Sequence, residues 1–143
     1  MIYYVDGSAH AEFGNHIAVS DNSGNILFFK KINKRKKDQL TNNETEYVAI
    51  IEGMRMAESG YTIFSDSKIC VEQIKGNFAV NEPRLIPYQK KASELYIEKK
   101  INLIWIKREV NLAGHYLEKF IKNNARKRNS KSKTVRKDNS EQV

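Results

Sequence analysis

Three carboxylates, Asp6, Glu46 and Asp66, stand in the sequence where they could share a metal ion. Asp6 ends an unbroken apolar run, 2–5, which is typical of a strand covered on both faces, and Asp66 ends a second predicted strand, 61–65. Parallel neighbouring strands lie about 5 Å apart, so their ends would bring the two aspartates together. Glu46 falls in the first turn of the helix predicted between these strands. Because adjacent carboxylates repel and Mg²⁺ prefers oxygen ligands, the three residues predict a divalent cation site.

Each carboxylate also has a structural explanation of its own. Asp6 could be a turn residue, since a glycine and a serine follow it. Asp66 could cap the helix after it, and Glu46 could close a capping box with Asn43. Each alternative accounts for one residue, whereas a shared cation accounts for three carboxylates at one edge of a sheet.

The elements that must position these carboxylates follow the order β-β-β-α-β-α-α-β-α. A turn cluster, 21–24, separates the second and third strands, so the first three strands should form an antiparallel meander. The last two strands are each reached through a helical crossover and should run parallel to the first. We therefore expect an α/β fold with a five-stranded mixed sheet flanked by helices. The predicted strands are 2–6, 14–20, 25–32, 61–65 and 101–107, and the predicted helices are 41–60, 66–76, 84–99 and 112–121.

The composition is that of one domain without a membrane span. A chain of 143 residues with 40% hydrophobic content can bury one core. The lone cysteine, Cys70, excludes an internal disulfide and favours a reducing compartment. No run approaches the roughly 20 apolar residues of a membrane helix. These features predict a cytoplasmic protein without a membrane partner, and we take it to be a monomer.

The net charge of +8 is concentrated in two basic runs. Six lysines and arginines fall within 30–37, nine fall within 119–143, and the rest of the chain is net acidic. Basic runs beside an acidic body suggest a polyanionic partner, although a solvated run of charges explains either one alone. Apolar residues nearly vanish after residue 123, so we divide the chain into a folded domain, 1–123, and a basic, disordered tail, 124–143. The tail could lie along phosphates or could act as a solubilising end.

In combination, the sequence motifs resemble type 1 ribonuclease H. The segments 4–8, 41–47 and 64–67 match the first three motifs of that family, and the resemblance spans residues 1–121. Two further patterns resemble its branch in archaea, plants and many bacteria: Val71-x-Gln73-Ile74-x-Gly76 and Arg84-Leu85-x-Pro87-Tyr88. The segment 105–111 resembles the lead-in to the fourth motif.

The resemblance implies a ribonuclease H-like fold and metal-dependent hydrolysis of the RNA strand of an RNA–DNA hybrid. It implies two Mg²⁺ or Mn²⁺ ions, with Asp6, Glu46 and Asp66 at the positions of the family's metal ligands. Asn42 and Asn43 match positions that contact the hybrid in its minor groove, where an amide can pair with the 2′-OH of RNA. Gly7, Ser8 and Ser67 belong to the same motifs and are further predicted substrate contacts.

Two features depart from the family pattern. The fourth carboxylate of the family falls at His115, which could be a ligand, a water-orienting residue or ordinary helix surface. The loop usual after the first aspartate is replaced by 9–15, so Asn15 is only a candidate substrate contact, together with His10 and His16.

Two alternatives to an active ribonuclease H stay open. The first is a catalytically impaired module that binds hybrid or RNA and has lost turnover through the change at His115. The second is another nuclease or integrase-like member of the superfamily, for which the Thr41-Asn42-Asn43 stretch has no explanation.

Overall fold

A computed structural model describes the backbone of residues 1–141 and the side chains of residues 1–129. Its single sheet has five strands in the order β3-β2-β1-β4-β5. β1 pairs antiparallel with β2, and β2 with β3, while β4 and β5 run parallel to β1. The predicted α/β fold, with its three-stranded meander and two parallel strands, is confirmed. The strands are β1 (Ile2–His10), β2 (Gly14–Ser20), β3 (Ile26–Lys31), β4 (Thr62–Ser65) and β5 (Asn102–Trp105).

Within residues 1–141, four α-helices and three short 3₁₀ turns accompany the strands. The helices are α1 (Asn42–Met56), α2 (Lys68–Ile74), α3 (Ile86–Glu98) and α4 (Leu112–Glu141), and the 3₁₀ turns are Lys36–Asp38, Pro83–Leu85 and Arg108–Val110. Within the described residues, every helix is too short or too polar to cross a membrane.

The central strand β1 separates two apolar cores. Val5 is fully buried on the side of α1, where a Cβ on Gly53 would come within 2.5 Å of its side chain. Asp6, the next residue, faces α4, because successive strand residues point to opposite faces. The larger core lies under α1, α2 and α3, and the smaller one, built on Ala18, Ala113 and Leu117, lies under α4. Glycine at position 53 therefore lets α1 lie close to the strand that carries Asp6.

Both ends of α1 are fixed by side chains. Thr41 is the N-cap and forms a reciprocal capping box with Glu44. A capping box between Asn43 and Glu46, the alternative use of Glu46, is therefore not formed. At the other end, the Lys99 ammonium donates to the carbonyls of Met54, Arg55 and Ala57 at 2.8–2.9 Å. These contacts fix the position of α1 along the sheet.

Two elements extend beyond their predicted ends. β1 continues past Asp6 because Gly7, Ser8, Ala9 and His10 pair with β2 across a short turn. α4 continues past residue 121, and Arg128 on this extension forms an ion pair with Glu12 in the β1–β2 turn. No side chain beyond residue 129 is described, so the division into a domain, 1–123, and a disordered tail, 124–143, stays a prediction.

Candidate active site

Asp6, Glu46 and Asp66 converge at one edge of the sheet. One carboxylate oxygen from each lies within 4.8 Å of the others, which makes the trio the only group of its kind among the described residues. Asp6 lies within β1, Asp66 directly follows β4, and Glu46 lies on the second turn of α1. Asp6 is buried, with 8% of its surface exposed, and the other two are half-buried.

The proximity and burial of these carboxylates oppose their ionisation. Burial, and next the charge of Asp66, raises the pKa of Asp6 to about 7. Burial, and next the charge of Asp6, raises the pKa of Glu46 well above its usual range. Burial also raises the pKa of Asp66, although a hydrogen bond from Asn111 acts in the opposite direction. Without a cation the site therefore retains protons that a divalent ion would replace.

The donor set fits a divalent metal ion. Oε2 of Glu46 is buried and has no hydrogen-bond partner within the described part of the chain. Its other oxygen accepts a weak hydrogen bond from the backbone N–H of Gly7 at 3.3 Å. An orphaned carboxylate oxygen beside two further carboxylates is the environment that a hard cation with oxygen ligands requires.

Asn111 connects the carboxylates to α4 and was missed as a site residue. Its fully buried side-chain amide donates at 3.0 Å both to Oδ2 of Asp66 and to the carbonyl of Val5. Its side-chain oxygen accepts from the backbone of Ala113 and Gly114 in the first turn of α4. The available signal was its type, since an asparagine just before a predicted helix is a frequent N-cap.

Two glycines permit the close packing around Asp6. A Cβ on Gly7 would lie 2.6 Å from the carbonyl oxygen of Thr45 in α1. A Cβ on Gly114 would lie 3.1 Å from Oδ2 of Asp6. Gly7, predicted as a substrate contact, is thus first of all the residue that lets α1 approach β1.

His115 is not brought into the carboxylate group. The residue is exposed, and its Nε2 lies 2.7 Å from the carbonyl oxygen of Glu109, which an N–H at that position would satisfy. Gly114, one residue earlier, is the part of α4 that lies against Asp6. A ligand role for His115 requires the ring to leave Glu109, and it stays a prediction.

Asn15 is buried, which argues against the direct substrate contact considered for it. Its amide donates to the hydroxyl of Thr45 at 2.7 Å and to the carbonyl of Leu40 at 2.9 Å. Its side-chain oxygen accepts from the backbone of Leu40, and its own N–H donates to the side chain of Asn33. With none of its surface exposed, Asn15 instead links β2 to the segment that leads into α1.

The remaining predicted contacts differ in their exposure and in their local hydrogen bonds. Asn42 is exposed at the start of α1, and Asn43 is half-buried and lines a cavity of about 330 Å³ together with Arg84. Ser8 is half-buried on β1. Ser67 caps α2, since its hydroxyl accepts from the backbone of Cys70. His10 accepts two backbone hydrogen bonds in the β1–β2 turn, and His16 is buried against Phe29.

The single cysteine lies behind the start of α1. Cys70 is fully buried, and its thiol contacts the backbone carbonyl of Asn43 at a sulfur–oxygen distance of 3.6 Å. Burial raises the pKa of this thiol to about 12, so it stays protonated. Cys70 is therefore a packed residue and is not available as a nucleophile.

Known proteins with the same architecture include several ribonucleases H. LC11-RNase H1, isolated from compost, is 27% identical with a TM-score of 0.63 over 81% of this chain and 90% of its own. The same protein in complex with an RNA/DNA hybrid gives 26% identity and a TM-score of 0.58 over 77% and 87% of the two chains. RNase H1 from the archaeon Halobacterium salinarum, at 21% identity and a TM-score of 0.62 over 78% and 89%, supports the fold alone.

The sequence itself matches a described family over most of its length. Residues 4–121 match the family described as reverse transcriptase-like. This segment includes the whole sheet from the middle of β1 onward and the helices α1, α2 and α3. The chain belongs to the reverse transcriptase-like family, and its predicted resemblance to type 1 ribonuclease H is confirmed.

Proposed function

We propose that this protein is an endonuclease that hydrolyses the RNA strand of RNA–DNA hybrids with two divalent metal ions. The observation that carries the proposal is the group formed by Asp6, Glu46 and Asp66, with three carboxylate oxygens within 4.8 Å of one another. The hybrid-bound state of LC11-RNase H1 supports the choice of substrate. Activity as a monomer in the cytoplasm belongs to the same proposal.

The metal ligands in this proposal are the three carboxylates. When bound, Mg²⁺ or Mn²⁺ would supply an activated water and charge stabilisation for an in-line displacement at phosphorus. The protein holds the ligands in place beforehand: Asn111 fixes one oxygen of Asp66, and the N–H of Gly7 fixes one oxygen of Glu46. Such fixed ligands reduce the reorganisation needed at the moment of reaction.

Recognition of the RNA strand is assigned to the start of α1. Asn42 and Asn43 follow the N-cap residue Thr41, and their amides can donate to and accept from a 2′-OH, which DNA lacks. The hydrogen bonds of Asn15 to Leu40 and Thr45 support this turn from behind.

One observation favours a second candidate, a module that binds hybrid without cleaving it. His115 occupies the position of the family's fourth metal ligand. Its ring contacts the backbone carbonyl of Glu109, and it brings no negative charge to the site. If three carboxylates do not retain the ions, binding would persist without turnover.

A cleavage assay separates the two candidates. End-labelled RNA–DNA hybrid is incubated with the full chain and Mg²⁺ or Mn²⁺, beside single-stranded and duplex RNA. We expect cleavage of the hybrid alone, and none by Asp6→Asn, Glu46→Gln or Asp66→Asn. Asp21→Asn, which removes a carboxylate of the β2–β3 turn outside the metal site, is the matched control and should cleave as the parent does.

Parental turnover in one of the three variants would remove that residue from the metal site. Hybrid binding by the parent without cleavage under either ion would favour the binding module.

A further inference from the structure

One cation of the first basic run lies on the face of the sheet that α4 covers. Lys31, in the first run, is exposed at the end of β3, where it pairs across the sheet with His16. The ring of His16 packs on Phe120 of α4 with a centroid separation of 4.8 Å. Phe29, two residues before Lys31, contacts the rings of both Tyr116 and Phe120. Lys31 therefore lies on the α4 side of the sheet, close to the second basic run.

The second run contributes a row of cations along α4. Lys119, Lys122 and Arg126 are exposed and lie three and four residues apart, which places them on one side of the helix. Within the described part of the chain, none of the three makes an ion pair. Their charges are therefore free to act on a partner.

The helix that carries this row is held against the body at both ends of the relevant stretch. Gly114 lies against Asp6 at one end, and Arg128 pairs with Glu12 of the β1–β2 turn at the other. Between them, Leu117 is buried with only 1% of its surface exposed. From Gly114 to Arg126 the helix rises about 18 Å at 1.5 Å per residue. It thus follows β1 beyond the carboxylates toward the tip of the β1–β2 hairpin.

An aromatic side chain accompanies the cations. Tyr116 is 36% exposed and is supported edge-on by Phe29 at 5.2 Å between ring centroids. Together with Lys119, Phe120 and Asn123 it lines a cavity of about 240 Å³. Exposed rings between cations are typical of surfaces that follow a nucleic-acid backbone.

We propose that Lys31, Lys119, Lys122 and Arg126 form one phosphate-binding surface, the α4 basic surface, for nucleic acid that extends beyond the carboxylates. The inference rests on the proposed function and adds to it where the substrate is held away from the reacting bond. From Lys119 to Arg126 the row on α4 spans about 10 Å of helix axis, which matches about three nucleotides of one strand at ~3.4 Å each. The surface reads charge and not sequence, because each of its cations faces solvent at the end of a flexible side chain.

The test measures hybrid binding as a function of salt. The full chain with Asp66→Asn, which prevents cleavage, serves as the parent, and the triple variant Lys119→Gln, Lys122→Gln, Arg126→Gln removes the row on α4. A matched triple variant, Lys75→Gln, Lys91→Gln, Lys100→Gln, removes the same charge from exposed positions on other elements. Lys31→Gln tests the surface without touching α4. Fluorescence anisotropy with a labelled hybrid is recorded between 50 and 200 mM salt, and circular dichroism checks that each variant is folded.

The α4 triple variant should reduce the slope of log K against log salt by about three units, and Lys31→Gln by about one. Between 50 and 200 mM salt, the binding constant of the parent should then fall roughly 40-fold more than that of the triple variant. If the slope of log K against log salt is the same for the α4 variant and the matched variant, or unchanged in both, the proposed surface is refuted. If the parent binds no hybrid at all, the proposed function fails together with it, whereas hybrid binding that ignores the α4 row refutes the surface alone.

Discussion

Replacing Asp6 with asparagine should stabilise the metal-free protein at neutral and alkaline pH. The pKa of Asp6 is raised from 3.8 to about 7, chiefly by burial and next by the charge of Asp66. A carboxyl group with a higher pKa in the folded than in the unfolded chain binds more protons when folded. The free energy of unfolding therefore falls as the pH rises from about 4, and the loss is complete above about 7.

The size of the effect follows from the pKa shift. At about 1.4 kcal/mol for each pKa unit, a shift from 3.8 to about 7 corresponds to roughly 4 kcal/mol. Small movements that separate Asp6 from its neighbours and admit water recover part of this cost, so we expect roughly 2 kcal/mol. In a chain of 143 residues that is a change in Tm of about 7 °C.

The assay is thermal unfolding followed by circular dichroism in EDTA, at several pH values from 4 to 8. Asp6→Asn should exceed the parent in Tm by about 7 °C at pH 8, and the difference should shrink toward zero as the pH approaches 4. Adding Mn²⁺ at pH 8 should raise the Tm of the parent and leave that of Asp6→Asn nearly unchanged, because a bound cation relieves the same repulsion.

Asp21→Asn is the control for removing a carboxylate as such. The Asp21 side chain accepts hydrogen bonds from Asn25, which lower its pKa, so its stabilising effect is already complete above pH 4. This variant should lose stability by an amount that stays constant from pH 5 to 8. A Tm of Asp6→Asn at or below the parental value at pH 8, with an unchanged pH dependence, would refute the electrostatic reasoning.

Three further substitutions test the roles assigned to Gly7, Asn15 and His115. Gly7→Ala should cost roughly 2–3 kcal/mol in urea unfolding, since its Cβ would lie 2.6 Å from a backbone oxygen of Thr45; a change below about 0.5 kcal/mol would contradict this. Asn15→Ala should raise the KM for hybrid several-fold with little change in kcat, because its bonds to Leu40 and Thr45 hold the turn before α1. A fall in kcat alone would place Asn15 in another role. His115→Ala should retain near-parental cleavage with Mg²⁺, because the ring contacts the backbone carbonyl of Glu109 and not the carboxylates. A loss of tenfold or more in kcat would indicate that His115 is a metal ligand.

The sequence was sufficient to predict the sheet and the three carboxylates. Asp6 and Asp66 each follow an apolar run, and a helix separates the two runs along the chain. A helical crossover of this kind joins parallel strands, and the two strands are indeed paired in parallel. Glu46 could be added because helical spacing relates it to Tyr47 and Ile50, which are fully buried under the sheet. These inferences depend on local periodicity, which a single sequence displays directly.

The sequence was insufficient where a residue's role depends on partners far along the chain. Asn15 is buried because Leu40 and Thr45 come to it from 25 and 30 residues away. The glycine after Asp6 suggested a strand break, yet Gly7 continues β1 and makes room for α1. The extension of α4 has the composition of a solvated tail. It is held against the domain by the ion pair of Arg128 with Glu12, a residue more than 100 positions earlier that the local sequence does not reveal as a partner.

The buried thiol of Cys70 offers a way to measure how often the start of α1 opens. Protonated and covered, it should react with alkylating reagents only during excursions in which α2 separates from the carbonyl of Asn43. The rate of modification then reports the free energy of local unfolding beneath the turn assigned to RNA recognition. A bound hybrid that orders this turn would slow the labelling of Cys70, so a single native side chain can register substrate occupancy without any cleavage taking place.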